Sequence, residues 1–157
     1  MALTHEHLVW HGELRLVVRD SRTGEIKKTL TAPNQKLSVT FPHLGSILFN
    51  NPGDFTNRTQ NKMGIGSADG LDSADTTLSG ETESRTLGRF SQNTNSPAMN
   101  LSFSFTNHIN TISIGQAAIF FTLTGGNAFV KASFTRLTIS SQDALQATWA
   151  MSFASAA

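Results

Sequence analysis

Three stretches of this chain alternate apolar and polar residues with a period of two, the pattern imposed on a strand that buries one face. From Leu8 to Val18 the even positions are Leu8, Trp10, Gly12, Leu14, Leu16 and Val18, while His7, His11, Glu13, Arg15 and Arg19 occupy odd ones. Met99, Leu101, Phe103 and Phe105 alternate with Asn100, Ser102, Ser104 and Thr106, and Leu145, Ala147, Trp149, Met151 and Phe153 repeat the pattern near the C-terminus. Composition agrees, because 17 Ser, 19 Thr and 11 Asn crowd out strong helix formers among the 157 residues, and an all-helical bundle is excluded.

The segments between these runs read as turns and further strands. Asp20-Ser21-Arg22-Thr23-Gly24 is a turn cluster after which Glu25 to Thr31 returns as a hairpin arm, broken by Ala32-Pro33-Asn34. Leu37, Phe41, Leu44 and Leu48 form a helical stripe, and Pro42 restricts it to one short helix starting near Pro42 and ending by Asn50. Met63 to Gly66 is a brief strand, Ser67 to Ser84 a long surface excursion pinned by Leu71 and Leu78, and Thr86 to Phe90 another strand. Thr111 to Leu123 is apolar at both parities, as in a strand covered on both faces, with Gly115 marking a bulge. Gly125-Gly126-Asn127 turns the chain into Ala128 to Phe134, extended by Leu137 to Ile139, before a last turn at Ser140 to Asp143. The expected architecture is all-β: a single jelly-roll-like β-sandwich over 1–157 of about eight strands and one short helix, with a possible N-terminal arm over 1–7. Both Trp10 and Trp149 fall on core-facing parities, and each indole N–H is expected to find a partner or reach solvent.

Charge and chemistry are sparse. Twelve Lys and Arg against eleven Asp and Glu leave a net charge of +1, and Lys27-Lys28 is the only adjacent basic pair, so no nucleic-acid footprint is expected. There is no Cys, which removes disulfides, thiolate zinc sites and thiol catalysis. The first ten residues lack the basic and apolar regions of a secretory signal, and the apolar run from Gln116 to Leu123 is far short of the ~20 residues a membrane helix needs. A soluble chain without a membrane partner is expected.

Candidate ligand sets give way to plainer readings. His5, His7 and His11 share a strand parity that could present zinc or copper ligands, but extended backbone sets His7 and His11 ~13 Å apart, and a polar outer face is the simpler assignment. Asp69, Asp72 and Asp75 are spaced by three, whereas a calcium-hand loop spaces its acids by two and closes with a bidentate Glu. Gly64-Ile65-Gly66 is a fragment of a dinucleotide fingerprint with no third glycine in register. No nucleophile elbow, zinc-protease motif or paired carboxylates on firm elements occur, and nothing in sequence pairs His43 or His108 with an acid. Asn57-Arg58-Thr59 and Asn100-Leu101-Ser102 match the glycosylation pattern by chance in a chain with no secretory signal. No catalytic, cofactor-binding or metal-binding residue is therefore assigned, and no enzyme activity or cofactor is expected.

The order of short segments carries a resemblance. Thr23-Gly24-Glu25 in a first hairpin, Asn34 to Leu37, then Met63-Gly64-Ile65-Gly66 are followed by Asp75-Thr76-Thr77-Leu78, Glu81 or Glu83, and Arg85. Gln116-Ala117-Ala118-Ile119-Phe120, Ala132-Ser133-Phe134 and Trp149-Ala150-Met151-Ser152-Phe153 complete it. From about Glu13 to Phe153 the chain resembles a diffuse group of small structural proteins of tailed bacteriophages, departing from it at Gln116, where an acid is expected, and in a polar Asn-rich loop over Asn50 to Asn61. The resemblance implies a virion component: a capsid decoration (cement) protein on the outer capsid surface that binds the major capsid protein, or alternatively a tail, fibre or baseplate protein, with receptor binding among the roles of that alternative. It carries no residue-level role to this chain. A homo-oligomer, favoured as a trimer, is expected with it. The arm Met1 to His7 and the Ser67 to Ser84 loop are the expected partner contacts. A cellular carbohydrate-binding sandwich is a further alternative, with no exposed Tyr or Trp platform in its favour.

Overall fold

A computed structural model describes residues 8–36, 62–70, 77–92, 95, 98–106, 110–120 and 122–155. These residues form ten strands and two antiparallel five-stranded sheets packed face to face. The strands are β1 (Leu8–Asp20), β2 (Ile26–Pro33), β3 (Gln35–Lys36), β4 (Lys62–Gly66), β5 (Thr86–Leu87), β6 (Arg89–Gln92), β7 (Ala98–Phe105), β8 (Ile112–Phe120), β9 (Ala128–Ile139) and β10 (Asp143–Ser155). The first sheet has the order β2-β1-β10-β7-β6 and the second β3-β9-β8-β4-β5. The β-sandwich expected from the alternation is the fold observed, with more strands than the eight counted. The expected helix from Pro42 to Asn50 and the arm Met1 to His7 lie outside the described residues.

Alternation places the core as read. Leu14, Leu16 and Val18 of β1, Leu101, Phe103 and Phe105 of β7, and Leu145, Ala147, Trp149 and Met151 of β10 face inward. They meet Met63 and Ile65, Ile114, Ala117 and Ile119, and Phe129, Val130, Ala132, Leu137 and Ile139 from the opposite sheet. Each Leu, Ile, Val, Met or Phe among them contributes about 1.5–3 kcal/mol by leaving water, and each Ala less. Registers such as Leu14↔Trp149 and Trp149↔Leu101 bring core residues directly opposite one another. A one-residue slip would turn every one of them to solvent, so burial fixes the register.

Two segments carry the chain from one sheet to the other, one at the expected break over Ala32-Pro33-Asn34 and one inside an expected strand. The chain leaves β2 at Pro33 and enters β3 at Gln35, so Asn34 is a corner rather than the end of an arm. Thr86 to Phe90, read as one strand, is likewise two: β5 and β6 belong to opposite sheets and are separated by Gly88 alone. Corners of this kind let one chain turn between packed sheets. Both depend on a close approach. A Cβ on Gly88 would stand 2.4 Å from the Phe103 ring, and a Cβ on Gly12 would stand 1.7 Å from Asn34 Oδ1. Asn34 N–H also donates to Gly12 O at 3.1 Å, which holds the first corner against β1.

Gly115 lies at a register shift between Ile114 and Gln116, as the bulge reading required. The β1–β2 hairpin closes through Gly24, with φ +74°, and through two backbone N–H groups, of Arg22 and Thr23, donated to Asp20 Oδ1 at 2.9 and 3.0 Å. One expectation fails. Trp149 is fully buried, yet its Nε1–H has no acceptor among the described residues, and its cross-strand neighbours Leu14 and Leu101 offer none from their side chains.

Candidate functional site

The two outer faces of the sandwich differ. Over the β3-β9-β8-β4-β5 sheet the described parts of the excursion, 67–70 and 77–84, fold back as a strap. Leu78 packs on Ala118, Phe120 and Ala128 in a second apolar cluster outside the main core, which bears out its expected pinning role; Leu71 lies outside the described residues. Buried polar groups hold the strap at intervals. Gln116 Nε2 donates to Gly70 O at 2.6 Å, and the fully buried Lys131 donates to Thr77 O at 3.2 Å. Backbone bonds from Ser67 N to Gly80 O and from Thr82 N to Ile65 O fasten its two feet. A Cβ on Gly115 would lie 2.7 Å from Ala68 O, so the bulge also makes room for the strap.

Arg85 closes the far end. It is 8% exposed, lies 3.3 Å from the centroid of the Phe120 ring, and pairs with Glu81 Oε1 at 2.7 Å. Its remaining N–H groups donate to Thr122 O at 2.9 Å and Gly125 O at 2.6 Å, tying the β8–β9 loop to the strap. Sequence reasoning singled out none of Arg85, Gln116 and Lys131 as structural anchors. For Lys131 a signal existed: a single cation inside the apolar run Ala128 to Ala132 must find a buried partner.

The opposite face has no such cover among the described residues. His11, Glu13, Arg15, Ser102, Ser104 and Gln146 are exposed there, between half-buried Thr148 and Ala150. At its β6 side a shallow groove of about 390 Å³ has Leu87 and Arg89 as walls and Ser102, Ser104, Gln146 and Thr148 on its floor. A larger open cleft of about 570 Å³ lies at the end of the sandwich among Thr82, Glu83, Thr86, Ser104, Thr106 and Asn110. Among the described residues four large apolar side chains are exposed, and two of them, Leu87 at 59% and Phe90 at 60%, flank the Gly88 corner.

The residues weighed for chemistry are dispersed. His11 is exposed on the bare face; His5, His7, His43 and His108 lie outside the described residues. Asp69 pairs with Arg136 at 3.0 Å on the surface, and Asp72 and Asp75 lie outside the described residues. Among the described residues no group of three His, Asp or Glu side chains could hold a metal ion, and no helix is long and apolar enough to cross a membrane.

One charged cluster joins two hairpins. Lys27 is the extra residue of a bulge, since Val18 pairs with Lys28 and Arg19 with Ile26. Its ammonium lies 2.5 Å from Asp143 Oδ1 and 3.5 Å from Asp20 Oδ2. The Thr23 and Arg22 amides, helped by Lys27, hold Asp20 down at about 2. Burial acts to raise the Asp143 pKa, but hydrogen bonds from Lys27 and Ser140 outweigh it and the net shift is downward. Bonding to Asp143 raises that of Lys27 despite opposing desolvation.

No protein-family model, curated protein or solved structure matches this chain.

Proposed function

We propose that this protein is a structural component of a bacteriophage virion, most specifically a capsid decoration protein that binds the major capsid protein on the outer shell and stabilises it. The observation that supports the reading is the unequal treatment of the two sandwich faces. One carries a strap held with buried hydrogen bonds, while the other is uncovered among the described residues, rich in small polar side chains and bordered by exposed Leu87. A rigid module with one bare face suits attachment to another protein, and interfaces of this type combine apolar anchors with a polar surround. Binding formed only on the assembled shell would stabilise the shell by mass action, as any ligand stabilises the state it prefers. Self-association as a homotrimer belongs to the same proposal, since a symmetric cluster engages neighbouring coat subunits at once. In this reading the protein's role is binding, without catalysis or cofactor.

Copy number tests it. Quantitative gel densitometry of purified particles should give hundreds of copies for a decoration protein, and a few to a few tens would move the protein to the tail, fibre or baseplate. Its absence from particles would end the virion reading altogether.

A further inference from the structure

Of the four sheet edges, three are blunted in ways that discourage pairing. β3 and β5 are two residues long, and β2 carries Lys27 and Lys28 and ends in Pro33. Short strands, lysines and proline at an edge all oppose the addition of another strand. The fourth edge, β6, is four residues long and carries one charge, Arg89, but neither Lys nor Pro. Phe90 is paired with Leu101, which is 6% exposed, so both point to the core side of the sheet, yet Phe90 is 60% exposed, and among the described residues no strand lies beyond β6. An aromatic exposed on the core-facing side of such an edge offers apolar surface to a further strand. Next to it Arg89, paired with Ser102, belongs to the bare outer side, is exposed, and has no salt bridge or hydrogen-bond partner among the described residues.

We infer that β6 is a docking edge that accepts an extended segment of a protein partner as a sixth strand of the β2-β1-β10-β7-β6 sheet. Strand addition supplies main-chain hydrogen bonds for affinity, and alternate side chains supply specificity. The chemistry of the segment follows from the two parities. Its inward residues are apolar and complete the layer over Phe90; the outward residue opposite Arg89 is acidic. Charge complementarity at Arg89 selects an acidic partner strand over a second copy of β6, which would set one arginine close to another. The inference deepens the virion proposal by naming the surface and the kind of segment it takes, but its test does not need a virion.

The full chain, labelled with ¹⁵N, would be titrated with two short synthetic peptides of alternating valine and threonine, one with a central glutamate and one with a central lysine. The expected result is amide shifts confined to Leu87–Gln92 and its neighbour β7, with the glutamate peptide bound about tenfold more tightly, a difference of about 1.4 kcal/mol. Arg89→Glu should reverse that preference, and Phe90→Ser should abolish binding of both peptides while leaving the rest of the spectrum in place. Shifts at Ile26–Pro33 instead, equal binding of both peptides, or no shifts would overturn the inference. Concentration-dependent self-association lost in Phe90→Ser would overturn it too, by making the occupant a second copy. Peptide binding at β6 by a protein absent from virions would leave the edge standing and remove only the virion reading.

Discussion

The Arg85 guanidinium stacks 3.3 Å from the centre of the Phe120 ring while its N–H groups reach Glu81, Thr122 O and Gly125 O. A single side chain thereby joins the strap, the β8–β9 loop and the outer apolar cluster. Arg85→Ala should destabilise the domain by about 2 kcal/mol, toward the middle of the range for losing hydrogen bonds to a buried charge, because Glu81 and the loop carbonyls can partly rehydrate. Arg85→Lys should restore little, since an ammonium cannot fork to three acceptors while stacking. Urea denaturation measures the loss, and amide exchange should show residues 122–126 opening before the core strands.

The cluster of Asp20, Lys27 and Asp143 predicts how stability depends on pH. Both carboxylates have folded pKa values below the ordinary 3.8, so their contribution is present above that value and is lost as pH falls through the folded values, about 2 for Asp20. The Lys27 pKa is raised above 10.5, so its contribution is complete below that value and disappears at higher pH. Thermal melts should show constant stability from this cluster across neutral pH and a decline on acidification below pH 4. In Lys27→Met the acid-dependent part should shrink. An unchanged acid limb in that variant would contradict the assigned pairing.

At the β5–β6 corner, Gly88→Ala places a methyl group 2.4 Å from the ring of buried Phe103, which must shift to accept it. Overpacking of this kind costs about 1–3 kcal/mol. For a domain of this size the expected fall in Tm is roughly 2–4 °C per kcal/mol. Phe103→Leu, although harmful by itself, should recover part of the loss when combined with Gly88→Ala. Gly24→Ala, where the added methyl meets nothing within 4 Å, would be strained only through its positive φ.

Trp149 has a buried donor with no acceptor, so its two truncations should differ sharply. Trp149→Phe removes the orphan N–H and leaves a ring, with the relief offsetting lost packing to within about 1 kcal/mol. Trp149→Ala leaves a cavity and should cost about 3–5 kcal/mol. Equal and large losses in the two variants would mean that the indole N–H is satisfied after all.

Leu87→Ser and Phe90→Ser should change stability by no more than about 0.5 kcal/mol, because both side chains are already in water in the isolated domain. Chemical denaturation of each variant checks this.

Much of the fold was legible in the sequence because a period of two is a local property: it places Leu14, Phe103 and Trp149 on buried faces wherever their strands pair. Turn chemistry was local as well, so Gly24 and the Gly125-Gly126 pair were readable as reversals. What the sequence did not disclose was long-range. Nothing in Thr86 to Phe90 tells that Gly88 carries the chain from one sheet to the other, since both halves are ordinary strand; the division is decided by where Phe103 packs. Arg85, Gln116 and Lys131 were not legible as anchors of the strap because their partners, Thr122, Gly70 and Thr77, are 37 to 54 residues away. Only the closed sandwich, by bringing the strap over one face and leaving β6 open on the other, decided which polar groups are buried and which edge remains available.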